Sequence, residues 1–302
     1  MKTLNQSNQS LYNNQYNFIK MSFLLIPYLL LSLILPCSSQ LQAGFIALGG
    51  GQDNNWDYKV SCFPFSSFQI LYLSAANINT DGSVGLRFDN DPQHIPQIVA
   101  KAHNVGARAL LSIGGPAGYP SFSFANAIKN PANFIKSLVG LQTKFDLDGF
   151  DLDWEDNPND QDIQLIRNSF RAEQGLSHAM ITLDVYGGSG LSSETLTGFD
   201  YINVMNYGNG ASLVNEDVDS AARAFQGRVS VEKLLIGVNF EAYGDDASER
   251  KEVTNDLITA VGTFNSGNAG GVFSWNSFDD SGASNKACVW SGTQEIEKKM
   301  KS

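Results

Sequence analysis

Metal-binding side chains are scarce in this chain. Its three histidines (His94, His103, His178) and three cysteines (Cys37, Cys62, Cys288) do not cluster at ligand spacing, so no zinc or iron–sulfur centre is signalled. No metal and no other cofactor is expected. Basic residues are also few, 20 Lys and Arg against 31 Asp and Glu. A nucleic-acid binder needs a basic face, and that class is excluded. "LGGGQD" at 48–53 supplies glycines but no G-x-G-x-x-G, which removes the signature of a dinucleotide site. No N-x-[S/T] sequon occurs after residue 39; the two present, at Asn5 and Asn8, lie near the start.

Long apolar runs are limited to one. Phe23–Leu35, preceded by Lys20 and an Asn-, Gln- and Ser-rich stretch, falls short of the roughly 20 residues of a spanning helix and has the length of a signal-peptide core. Small residues Cys37 and Ser39 suit cleavage before Gln40, and Met21 suits the true start. The expected organisation is a leader over 1–39 and a single catalytic domain over 40–302; an uncleaved anchor is the alternative. Removing the leader takes two lysines and no acid, leaving a net charge of about −13. These features point to a secreted or lumenal protein (extracellular, vacuolar or lysosomal) that is off the membrane once processed, and a monomer is expected. In such a compartment Cys62 and Cys288 can pair, and two separate buried thiols fit equally well.

Short β-branched and aromatic runs recur through the remainder: 44–48, 70–75, 107–113, 149–154, 179–185, 201–207, 234–240 and 270–275. Most are followed by Gly, Asn, Ser or Asp, as buried strands are. Amphipathic stretches with Pro near the start lie at 91–106 and 130–145, and others at 160–175, 220–227 and 248–264. After the fifth strand the helix signal is weak. Eight strands alternating with helices over about 250 residues predict an α/β fold of the (β/α)8 TIM-barrel type. An open doubly wound sheet is the runner-up.

Within this frame "DGFDLDWED" at 148–156 is the unusual segment. Side chains alternate on a strand. Phe150, Leu152 and Trp154 therefore share the face toward the surrounding helices, while Asp151, Asp153 and Glu155 point inward. Glu155 falls at the C-terminal mouth, where barrel active sites lie. Carboxyls buried this close together cannot all ionise easily, and an acid kept protonated is what general-acid catalysis requires. A hydrated acidic turn or a cation loop is the competing reading, but calcium loops are Gly-broken and oxygen-rich, unlike "FDLDW".

"DGFDLDWE" resembles the D-G-x-D-x-D-x-E signature of family-18 glycoside hydrolases, the chitinases and their relatives. "LLSIGG" at 110–115, "YINVMNY", "KLLIGVNF" and "GGVFSW" resemble further strands of that family in order, over roughly residues 43–280. The resemblance implies that Glu155 protonates the glycosidic oxygen and later activates water. It implies that the substrate's own 2-acetamido oxygen is the nucleophile, with Asp153 orienting that group and Asp151 sharing a proton or hydrogen bond with Asp153. Tyr207 would hold the acetamide oxygen. Trp275 would floor the sugar site, with Met205 and Phe45 lining it. Asp148, Ser112, Gly114 and Gly115 would be structural.

Two departures stand out. Gly208 follows Tyr207 where many members have Asp, with Asn206 and Asn209 nearby. Only "EAYGDDASER" (241–250) separates the seventh strand from the next helix, leaving no room for the family's small α+β insertion and predicting a shallow, open groove. The implied function is retaining, substrate-assisted, endo-acting cleavage of chitin or N-acetylglucosamine oligosaccharides. An endo-β-N-acetylglucosaminidase acting on the N-glycan core and an inactive chitin-binding lectin are the alternatives.

Overall fold

The computed structural model describes residues 41–48, 60–86, 94–186, 190–205, 223–225, 227–240, 262, 266–267, 269–277 and 291–301. The contacts of the chain place all of these in one unit, Gln40–Ser302. Eight strands pair in parallel and close on themselves: β1 (Leu41–Ala47), β2 (Ile70–Ile78), β4 (Arg108–Gly115), β5 (Gly149–Trp154), β6 (Met180–Val185), β7 (Tyr201–Val204), β8 (Leu234–Asn239) and β9 (Gly271–Trp275), with β9 returning to β1. The expected (β/α)8 barrel is the fold. Each anticipated strand is present; β3 (Val84–Leu86), an antiparallel addition to β2, was not foreseen.

Six α-helices are described: α1 (Ile95–Asn104), α2 (Ala125–Lys129), α3 (Pro131–Phe145), α4 (Asp160–Ala172), α5 (Ser193–Thr197) and α6 (Ser291–Met300). Their ends follow local chemistry. Pro131 opens α3, where its missing N–H is no loss. Asn159 caps α4 by accepting from the Asp162 N–H at 3.0 Å. In α1 the buried residues Ile95, Ile98, Val99 and Ala102 form one stripe, and Gly106 with φ 81° turns the chain beyond it. The weak helical signal after the fifth strand corresponds to the five-residue α5. Of the stretch 220–227, residues 223–225 are helical; the leader, residues 241–250 and nearly all of 248–264 lie outside the described residues.

The alternation of the strands produces two cores. Outward residues such as Phe150, Leu152, Ile181, Leu183, Ile202 and Val204 pack with Phe134, Leu138, Ile163 and Phe170 of the helices. Trp154 stacks on Phe124 at 4.1 Å. Each such side chain fully removed from water contributes about 1.5–3 kcal/mol. The second core lies inside the barrel and contains Leu41, Ala43, Phe45, Ile70, Tyr72, Leu110, Met205, Leu235 and Phe273.

Candidate active site

The register of the central strands builds the site in two rungs. Ser112, Asp151 and Thr182 are cross-strand neighbours on β4, β5 and β6. Gly114, Asp153, Asp184 and Asn203 form the next rung toward the mouth. In the first rung, Asp151 is fully buried. Its carboxyl accepts from Ser112 Oγ at 2.8 Å and Thr182 Oγ1 at 2.5 Å, and more weakly from Asn203 Nδ2 at 3.4 Å. Ser112 is thus a direct partner of the buried acid. Burial pushes the Asp151 carboxyl up to about 6, against the opposing effect of its hydroxyl donors.

In the second rung Asp153 is 6% exposed, and its Oδ1 is buried without a hydrogen-bond partner. Burial holds its carboxyl well above the usual range, and the charges of Glu155 and Asp151 push it further. Gly114 allows this approach. It has φ 109°, and a Cβ there would collide with the Asp153 carbonyl oxygen. Glu155 follows the last residue of β5 at the mouth, partly exposed, and accepts from the Tyr186 hydroxyl at 2.6 Å.

Sequence reasoning missed several members of this network. Asp184 on β6 is 2% exposed. Burial, then the charges of Asp151 and Asp153, raises its carboxyl well above the usual range. Asn203 on β7 donates to Asp184 Oδ1 at 2.7 Å and accepts from the Tyr72 hydroxyl at 3.2 Å. Neither these two nor Thr182, Tyr72 and Tyr186 lies in an acidic pattern; only the inward parity of Asp184 in "ITLDV" could have marked it.

Trp275 ends β9 and is partly exposed, with its ring 5.5 Å from that of Phe45. Phe45 itself is 1% exposed and stacks on Tyr72 at 4.4 Å. It supports Trp275 from within the core and is no wall of the cleft, because the inner barrel is filled to that level. Met205 is likewise buried, in the same cluster. Asp148 lies at the opposite end of β5, where its Oδ2 accepts from the Ala109 N–H and meets His103 Nε2, both at 2.8 Å. Asp156 receives the Ser123 hydroxyl at 2.6 Å and lines, with Gly115, Tyr119 and Phe122, a recess of about 220 Å³ beside the mouth. Tyr207, Gly208, Asn206, Asn209 and Cys288 lie outside the described residues. Cys62 is disulfide-bonded, which removes the free-thiol reading for that residue. Among the described residues no group of three or more His, Cys, Asp or Glu is arranged to hold a metal, and no helix is long and apolar enough to cross a membrane.

The arrangement provides a partly exposed carboxyl beside a buried one with an unpartnered oxygen, in a site flanked by an aromatic ring: the parts of an acid–base hydrolytic site. The chain is 34% identical over 110 residues to a chitinase-like effector of Moniliophthora roreri, covering 35% of this chain and 26% of that protein. It is 26% identical over 207 residues to chitinase B of Serratia marcescens, covering 54% and 41%. The chain therefore spans well under half the length of these relatives. A chitinase structure from Bacteroides thetaiotaomicron superposes with a TM-score of 0.69 at 18% identity, over 86% of this chain and 96% of that one. The description of Glycosyl hydrolases family 18 matches residues 48–299, and the chain belongs to that family.

Proposed function

We propose that this protein is a secreted chitinase that cleaves β-1,4 bonds between N-acetylglucosamine units with retention of configuration. The observation that carries this reading is the Asp153–Glu155 pair. Asp153 Oδ1 is buried, unpaired and held beside the partly exposed Glu155. An acetamide N–H is the donor such an oxygen lacks. With that group oriented, its carbonyl oxygen attacks the anomeric carbon while Glu155 protonates the departing oxygen. An oxazolinium ion forms, and Glu155 then takes a proton from the incoming water. Asp151, fixed by Ser112 and Thr182, shares a proton or hydrogen bond with Asp153. Trp275 provides an apolar face for the sugar ring. By the resemblance of "YINVMNY", Tyr207 holds the acetamide oxygen. Membership in family 18, together with relatives named as chitinases, supports the substrate class.

The likeness to a chitinase-like effector favours a second reading, a chitin-binding protein without turnover. Glu155 argues against it, because a binder has no use for a general acid. Cleavage of the N-glycan core is a third possibility that uses the same acids. A product assay on N-acetylchitooligosaccharides and on a high-mannose glycopeptide separates the three. Cleavage of the oligosaccharide supports the chitinase; cleavage of the glycopeptide alone, or binding without cleavage, sinks it. Glu155→Gln should lower turnover by about 10³-fold or more while keeping oligosaccharide binding. Retained turnover would remove Glu155 from the acid role.

A further inference from the structure

Tyr186 stands one residue beyond β6, and its hydroxyl donates to Glu155 Oε2 at 2.6 Å. The pairing of β5 with β6 runs through Asp153 and Asp184. Two residues further along each chain the same register brings Glu155 beside Tyr186. The contact is therefore a consequence of strand pairing. The ring is 52% exposed, so water could serve as the partner of this hydroxyl, yet it is directed to one oxygen of one carboxyl. Burial, then its bond to Glu155, pushes the phenol proton above the usual tyrosine range. Tyr186 thus remains a donor and does not compete as a proton source.

We infer that Tyr186 is a positioning residue for the general acid. It occupies Oε2 of Glu155, so that the transferable proton resides on Oε1, and it meets the negative charge that Glu155 acquires when this proton leaves. The inference rests on the hydrolase reading above. In the first step the Glu155 O–H bond breaks and its proton goes to the glycosidic oxygen. The bond from that oxygen to the anomeric carbon breaks with its electron pair staying on the oxygen. The acetamide oxygen forms the new bond to the anomeric carbon, and Glu155 is left as a carboxylate. A hydrogen bond to an ionised acceptor is about twice as strong as one to a neutral acceptor. Tyr186 therefore favours the state after proton transfer over the state before it, which is the differential binding that lowers a barrier.

Tyr186→Phe removes the donor and keeps the ring. On N-acetylchitotetraose we expect kcat to fall about 10-fold with KM within about 2-fold, the scale of one charge-assisted hydrogen bond. On 2,4-dinitrophenyl N,N′-diacetylchitobioside, whose leaving group departs without a proton, the loss should be several-fold smaller. A structural defect would depress both substrates alike, and thermal unfolding of the variant checks that the fold is kept. Equal losses on the two substrates, or no loss on either, overturn the assignment of Tyr186 and leave the hydrolase reading standing. No turnover of either substrate by the unaltered protein overturns the chitinase reading, and the inference with it.

Discussion

The inside of this barrel has two unlike halves. Strands β8, β9, β1 and β2 fill theirs with Leu235, Phe273, Phe45, Leu41, Ile70 and Tyr72. Strands β4 to β7 add Leu110 to that apolar cluster but carry Ser112, Asp151, Asp153, Thr182, Asp184 and Asn203 in the layers above it. Both halves are buried to the same degree, so exposure does not separate them. In the first, close-packed rings give stability and support Trp275 from below. In the second, polar groups are kept out of water, where each must find a partner or stay neutral. Stability and chemistry are thus assigned to opposite walls of one barrel, and strand order keeps them apart.

The largest effect should come from breaking the apolar half. Phe273 is 1% exposed and its ring lies 5.6 Å from that of Phe45. Phe273→Ala opens a cavity that neighbouring strands cannot close, and should cost about 4 kcal/mol in denaturant unfolding. A loss below about 1 kcal/mol would mean that this wall is not the source of stability. The polar half should respond next. Asn203→Leu strips Asp184 of its donor and Tyr72 of its acceptor. Leaving buried groups unsatisfied costs about 1–3 kcal/mol each, so Asn203→Leu should cost about 3 kcal/mol in denaturant unfolding, close to Phe273→Ala. Activity separates them, because Asn203→Leu should also lower turnover by disturbing Asp151 and Asp184, whereas a folded Phe273→Ala protein should retain more of it.

How much of this was legible in the sequence differs between the halves. The eight barrel strands were readable, because the runs are short, β-branched and mostly followed by turn residues; the antiparallel β3 was not. The acids of β5 were readable because alternation is local: Asp151, Asp153 and Glu155 sit two apart in one segment. Asp184, Asn203, Thr182 and Tyr72 were not. They are isolated polar residues among apolar neighbours on three different strands, and only cross-strand register, set by the closure of the whole barrel, brings them to Asp151 and Asp153. Phe45 was placed on the right strand but too near the cleft, since the depth of a residue inside a barrel depends on how all eight strands are staggered. Helix α6 escaped notice because only Ile296 and Met300 mark its buried face among charged neighbours. At the base of the barrel, Asp200 Oδ2 accepts from the Ile181 N–H at 2.8 Å, much as Asp148 does for Ala109. That repeat of one device at two strand starts was invisible without the fold.

The smallest effect tests the acids as a set. Burial pushes Asp151 up to about 6 from an ordinary 3.8, and raises Asp153 and Asp184 well above the ordinary value. A carboxyl raised by folding binds its proton more tightly in the folded chain than in the unfolded one. Its stabilisation is full below the unfolded value near pH 4 and is lost as pH rises through the folded value. For Asp151 this is on the order of 3 kcal/mol, lost between about pH 4 and just above pH 6. Asp153 and Asp184 extend the decline to higher pH. Asp184→Asn keeps an oxygen to accept from Asn203 and removes one acid from the group. Thermal unfolding midpoints measured from pH 4 to pH 8 should therefore fall for both proteins, but less steeply above pH 6 for the variant. The variant should be the more stable by about 1–2 kcal/mol at pH 8 and nearly equal to the parent at pH 4. Parallel curves would show that Asp184 ionises without cost, and that the polar half of the barrel is wetter than its burial implies.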